Sequence, residues 1–191
     1  MDPSSAERPT TASAELLIRH ATVDDAAIMA RIRVTGWQAS YRGQLPDHLL
    51  DQLSVEGDTI RFADHLGHLA PDRRVWVAER DEEVVGFAST GPCRDEDAPQ
   101  AAEVYAIYVV PHRYGQGIGG RLLRHAVSDL RDRGFREAVL WTLVTNVPAQ
   151  RFYERHGWRP DGTTKLDRLD QFHLNESRYR LDLHRTDADP G

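Results

Sequence analysis

Two periods divide the apolar positions of this chain between about residues 15 and 184. Short alternating or continuous apolar runs bounded by turn residues mark strands, and apolar residues three and four apart mark helices. "ELLIRHA" at 15–21 reads as a short strand. "TVDDAAIMARIRVTGW" follows, with Thr22 as N-cap, Asp25 three residues on, and Ile28, Met29 and Ile32 on one face, which is how a helix starts. Gly43 and Pro46 punctuate the chain before two short amphipathic helices at roughly 46–53 and 55–68.

"RRVWVAER" and "EVVGFASTG" flank Asp81-Glu82 and predict an antiparallel hairpin over about 74–91. A polar loop leads into "EVYAIYVV", apolar on both faces and therefore a central strand. Ile118, Leu122, Leu123, Ala126, Val127 and Leu130 recur at helical spacing over 117–133, and Gly134 closes that helix. "EAVLWTLVTN" is another buried strand, "VPAQRFYERHG" a short helix with Pro148 in its first turn, and "NESRYRLDL" a last strand. This order predicts one mixed α/β (α+β) domain over 15–184, with the helix at 117–133 crossing between two parallel neighbours. Residues 1–14 and 185–191 are polar and read as loose tails.

Composition narrows the function classes. Apolar residues make up 40% and charged residues 28%, and no apolar run reaches membrane-spanning length, so a soluble protein is expected, without membrane partners. The N-terminus lacks the apolar run of a secretory signal, which leaves the cytoplasm as the default. Net charge is −6 with the arginines scattered, against nucleic acid as the main partner. Cys93 stands alone and reads as a packing residue. His65 and His68 share a helix face but have no third ligand at a suitable spacing, so no metal is expected.

The densest chemistry lies in "VVPHRYGQGIGGRLL", where Gly115, Gly117, Gly119 and Gly120 open a helix directly after the central strand. Such a junction presents unpaired backbone N–H groups and a helix N-terminus to one point, which suits an anion. A dinucleotide site would need the strand to run straight into the first glycine and an acidic residue about 20 positions on. Pro111–Tyr114 intervene instead, and the next strand ends in Thr145-Asn146. A nucleotide P-loop fails because no Gly-Lys-Ser/Thr follows.

"EVYAIYVVPHRYGQGIGGRLL" together with "NVPAQRFYERHGW" resembles the GNAT superfamily of N-acetyltransferases, whose patterns are Gln/Arg-x-x-Gly-x-Gly/Ala and Asn-x-x-Ala-x-x-Phe-Tyr-Glu-x-x-Gly-Phe. Asn146, Ala149, Phe152, Tyr153, Glu154 and Gly157 match; Trp158 replaces Phe, and Tyr114 stands where Gln or Arg is customary. The resemblance covers about 15–184. It implies a mostly antiparallel sheet flanked by helices, in which two central parallel strands, here 103–110 and 138–145, splay apart around acetyl-CoA. The pyrophosphate would lie against Tyr114, Gly115, Gln116, Gly117, Ile118, Gly119 and Gly120, and the pantetheine and acetyl group against Ile107, Tyr108, Val109 and Asn146.

Amide formation needs a neutral amine, a polarised thioester and a proton for the thiolate. The resemblance offers Glu103 as base, the alternative being a solvated glutamate at a strand start, and Tyr153 as acid and cofactor contact, the alternative being a packed aromatic. Asn146 doubles as a helix N-cap candidate. Trp37 and Tyr41, with Glu103, are candidate acceptor contacts, and a packed Trp37 is the plain alternative. These features imply an N-acetyltransferase acting on a primary amine by direct transfer in a ternary complex, with a non-catalytic acyl-CoA-binding module as the rival. Net charge and Asp95-Glu96-Asp97 predict a cationic acceptor. The acceptor's identity is not legible; homodimers are frequent in the superfamily.

Overall fold

A computed structural model describes residues 15–169 and 172–184; both predicted tails lie outside the described residues. The strands are β1 (Leu17–His20), β2 (Arg74–Arg80), β3 (Glu83–Pro92), β4 (Ala102–Val109), β5 (Glu137–Leu143), β6 (Arg159–Leu169) and β7 (Phe172–Asp182). They form one sheet in the order β1-β2-β3-β4-β5-β7-β6. Every adjacent pair is antiparallel except β4–β5, which is parallel. The expected sheet is therefore present, with one strand more than the sequence pattern showed. β6, "RPDGTTKLDRL", is polar, carries Pro160 and Gly162, and pairs only with β7. An edge strand needs no apolar face on each side and tolerates proline, so it leaves little periodic trace.

The helices are α1 (Ala26–Tyr41), α2 (Asp47–Asp51), α3 (Val55–Gly67), α4 (Ile118–Asp132) and α5 (Val147–Arg155). The predicted start at Thr22 is a single 3-10 turn, Val23–Asp25, that leads into α1. The Asp25 carboxylate accepts from the Thr22 N–H at 2.7 Å and from both terminal nitrogens of Arg19 at 2.8 and 2.9 Å. On one face of the sheet Met29 and Ile32 of α1 pack on Val75, Val77 and Phe87. On the other, Ile118, Leu122 and Ala126 of α4 pack on Ala78, Val85 and Ala88, while Leu123, Val127 and Leu130 meet Ala138, Leu140, Tyr153 and the fully buried Trp158. Each such buried aliphatic side chain contributes about 1.5–3 kcal/mol. The apolar stripe that predicted α4 is thus split between two clusters, which ties β2–β3 to β5.

The acidic hairpin turn is where it was expected, with Asp81 and Glu82 both at positive φ (54° and 62°), the pair of left-handed conformations that a two-residue hairpin connection requires. Arg178 of β7, almost fully buried, donates to Asp95, Asp97 and Asp161. Asp95 and Asp97, in the acidic run before β4, are therefore pinned to β7 by Arg178.

Candidate functional site

β4 and β5 stay paired for three residues, Ala102↔Ala138, Glu103↔Val139 and Val104↔Leu140, and then part, although the strands continue to Val109 and Leu143. A cleft of about 750 Å³ opens between them. Ile107, Tyr108 and Val109 line its β4 side; Leu143, Asn146 and α5 line the other. On the opposite edge of β4 a bulge adds to the divergence. Ser89 pairs with Ala106 and Thr90 with Val104, which leaves Tyr105 without a partner on β3. A bulge of this kind bends its strand and increases twist.

The glycine turn forms one end of the cleft. Gly115 and Gly117 have φ of 76° and 77°, and a Cβ on either would meet nothing within 4 Å. Backbone conformation requires glycine there, and the space in front stays open. The first intrahelical bond of α4 runs from the Arg121 N–H to the Gly117 carbonyl at 3.1 Å, so the N–H groups of Ile118, Gly119 and Gly120 have no intrahelical acceptor. Gly119 and Gly120 also line the cleft. A Cβ on Gly119 would lie 3.5 Å from the Phe152 ring, and one on Gly120 would lie 2.7 Å from Nε2 of His156. Of the two, only Gly120 is required for α5 to pack against α4; a Cβ on Gly119 would make an ordinary contact. Arg113 and Arg124 add positive charge at this end, and Tyr114, about half exposed, stands beside them. Gln116 does not line the cleft; its side-chain oxygen accepts from Arg80 at 3.2 Å.

The middle of the cleft is aromatic. Oδ1 of Asn146 accepts from the Ala149 N–H at 3.2 Å, capping α5, while its Nδ2 donates to the Tyr41 hydroxyl at 3.0 Å. The N-cap that the sequence suggested is present, and Asn146 also lines the cleft. Trp37 Nε1 donates to the Tyr108 hydroxyl at 2.8 Å and its ring meets Tyr41 edge-on at 5.0 Å. Tyr153 is buried beside Phe152, Trp158 and Tyr179, yet also lines the cleft. Burial raises the pKa values of the Tyr153 and Tyr108 phenols and pushes that of Tyr41 up to about 12. All three stay protonated across the neutral range.

At the far end, Glu103 is 1% exposed, not the solvated strand-start residue that was the alternative. Its carboxylate accepts from the Arg94 N–H at 3.1 Å, from Arg94 Nε at 3.0 Å, and from Arg94 Nη2. Two more carboxylates lining the cleft, Asp167 and Glu176, escaped the sequence reading. Glu176 of β7, opposite Leu143 in the register, lines the cleft, and burial raises its pKa above the usual glutamate value. Lys165 Nζ lies 3.4 Å from Glu176 Oε2 and 4.1 Å from the centre of the Trp141 ring. The available signal was the alternation of Leu174, Glu176 and Arg178 on one face of β7. With polar side chains on both faces, that alternation did not separate inside from outside.

A sequence model described as "Acetyltransferase (GNAT) family" matches residues 35–158. An uncharacterised N-acetyltransferase of Bacillus subtilis, YuaI, is 31% identical over 140 residues, covering 73% of this chain and 78% of that one. An uncharacterised N-acetyltransferase of Archaeoglobus fulgidus is 33% identical over 139 residues, covering 71% and 88%. Among solved structures, YncA of Salmonella typhimurium with its cofactor acetyl-CoA superposes with a TM-score of 0.66 at 19% identity, covering 93% of this chain and 99% of that one. The PaiA N-acetyltransferase of Thermoplasma acidophilum in complex with coenzyme A gives 0.62 at 18% identity, covering 85% and 98%.

Proposed function

The chain belongs to the GNAT family and is an acetyl-CoA-dependent acetyltransferase, and on that premise we propose that it moves the acetyl group directly to a primary amine bound in the same cleft. The observation that carries this reading is the parting of β4 from β5 between a glycine turn at one end and the carboxylates of Glu103, Asp167 and Glu176 beyond it. The open space before Gly115 and Gly117, the free amides of Ile118–Gly120, and Arg113 and Arg124 fit a pyrophosphate. The edge of β4 over Ile107–Val109 that faces β5 has lost its strand partner, so its backbone can pair with an extended amide-bearing chain and polarise a thioester carbonyl.

The amine nitrogen attacks the carbonyl carbon, the C–S bond breaks, the amine loses a proton and the sulfur gains one. For the first proton Glu176 is better prepared than Glu103. Both oxygens of Glu103 already serve Arg94, whereas burial favours the protonated form of Glu176 and makes it a stronger proton acceptor. Glu103 then positions Arg94. Tyr153, kept protonated by burial, donates a hydrogen bond to the departing thiolate.

The test is thiol release from acetyl-CoA across an amine panel, followed by pH profiles of two variants. As pH falls through the raised Glu176 pKa, kcat/KM declines in the parent. Glu176→Gln should erase that acid limb and cut the rate by about a hundredfold or more, with Glu103→Gln retaining the limb. Loss of the limb in Glu103→Gln alone would return the base to Glu103. Binding of acetyl-CoA with no thiol release for any amine would refute the proposed amine transfer.

A further inference from the structure

A second cavity, of about 300 Å³, lies on the sheet face covered by α1 and α3 and shares Arg94, Tyr105, Ala106 and Tyr108 with the cleft as a common wall. Its floor is apolar, built from Met29, Phe62 and Phe87. Its rim carries three arginines, Arg33, Arg73 and Arg94, with His65 beside them, and no Asp or Glu lines it. Two of these arginines are already committed. Arg33 Nη1 lies 2.5 Å from Asp58 Oδ2, and Arg94 holds Glu103. Asp58 is further shared with Arg61, so it cannot fully neutralise Arg33.

Arg73 differs. Its guanidinium rests over the Tyr105 ring at 5.3 Å and makes no hydrogen bond or ion pair among the described residues. The Arg94 guanidinium lies against the same ring at 4.6 Å, and the Tyr105 hydroxyl donates to the Pro92 carbonyl at 2.6 Å, so the ring that carries both cations is held in place. Guanidinium groups gathered at the mouth of an apolar cavity, with one of them unpaired, complement a planar anion on an apolar body.

We propose that the acceptor is an amine that also carries a carboxylate, which seats beside Arg73 in this second cavity while the amine reaches the cleft. This rests on the amine-transfer reading above and names its substrate class. Because Tyr105 and Ala106 stand between the two spaces, the amine and carboxylate are separated by an apolar spacer. A cationic acceptor, which the acidic sequence run suggested, would instead meet Arg73 and Arg94 with like charge.

Matched acceptors test this: 4-aminobutanoate against propylamine, 5-aminopentanoate against butylamine, and 6-aminohexanoate against pentylamine, each assayed by thiol release from acetyl-CoA. At least one spaced amino acid should exceed its decarboxylated partner by about tenfold or more in kcat/KM, the scale of a charge-assisted contact. Arg73→Gln should reduce that preference to within about threefold, and Arg73→Lys should restore part of it. Equal turnover of all partners, or an equal loss for both members of a pair in Arg73→Gln, would overturn the proposal. If no amine is turned over, the amine-transfer reading has failed and the anion subsite is read separately, by calorimetric titration of 6-acetamidohexanoate in the presence of coenzyme A. Binding by the parent that Arg73→Gln abolishes supports the subsite. Absent or unchanged binding refutes it.

Discussion

Tyr153→Phe removes one oxygen from the centre of the site and separates chemistry from packing. The ring sits 5.2 Å from Phe152, 6.4 Å from Trp158 and 6.3 Å from Tyr179, centre to centre, and phenylalanine keeps those contacts. The hydroxyl makes no hydrogen bond among the described residues, so its loss strands no buried partner. The stability change should stay within about 1 kcal/mol, and coenzyme A affinity should hold within a few-fold. The rate should not. A hydrogen bond to a charged group contributes about 1.5–3 kcal/mol, and at about 1.4 kcal/mol per tenfold that corresponds to a 10- to 150-fold loss in the chemical step. The assay is single-turnover transfer at saturating acetyl-CoA with the best amine of the panel, beside a coenzyme A titration of the same variant. A rate within about threefold of the parent would show that the thiolate departs without help from this phenol, leaving Tyr153 a packing residue.

Three further outcomes are expected. Gly117→Asp places a side chain and a negative charge in open space before the free amides of α4, at a φ of 77°; titration should show coenzyme A binding weakened at least about tenfold, and unchanged affinity would remove the pyrophosphate from this turn. Gly120→Ala should lower the melting stability by about 1–2 kcal/mol, because its Cβ would lie 2.7 Å from a His156 ring whose Nδ1 is bonded to the Phe152 carbonyl at 2.8 Å, whereas Gly119→Ala, at 3.5 Å from Phe152, should be neutral or slightly stabilising. Asp25→Asn should destabilise by about 1–3 kcal/mol at neutral pH. The hydrogen bonds from Arg19 depress the Asp25 pKa, so its contribution is present above the unfolded value of 3.8 and is lost as pH falls through the lower folded value. Denaturant midpoints of parent and variant should therefore converge in acid.

The parts of this fold that the sequence revealed are those whose side chains face a single environment. The stripe from Ile118 to Leu130 is apolar because α4 lies on the sheet throughout its length, and the acidic hairpin turn needs only local geometry. What stayed hidden depends on partners far along the chain. Four glycines in a row of six read as one anion cradle, but only α5 packing shows that Gly120 answers to His156. Asp95 and Asp97 read as acidic surface until Arg178, more than 80 residues later, is brought against them. Glu176 became a candidate base only when β7 was laid beside β5, and Arg73 a candidate anchor only when the turn before β2 met the bulge at Tyr105. The glycine turn, Asn146, Tyr153, Trp37 and Tyr41 were found in advance, and all of them line one cleft.

The early parting of β4 and β5 has a thermodynamic side. A sheet interrupted at its centre keeps amide and carbonyl groups waiting on water between strands that are paired along most of their length on their other edges. Whatever pairs with those groups completes the ladder, so its binding energy adds to the folding energy of both halves of the sheet at once. The amides of Ile107 and Val109, which alternate away from β3, should accordingly trade with heavy water quickly in the free protein and slowly once coenzyme A is present, whereas that of Tyr108, turned toward β3, should be protected in both. The melting temperature should climb with the logarithm of its concentration, and the substrate then acts as a tie between the two halves of the sheet.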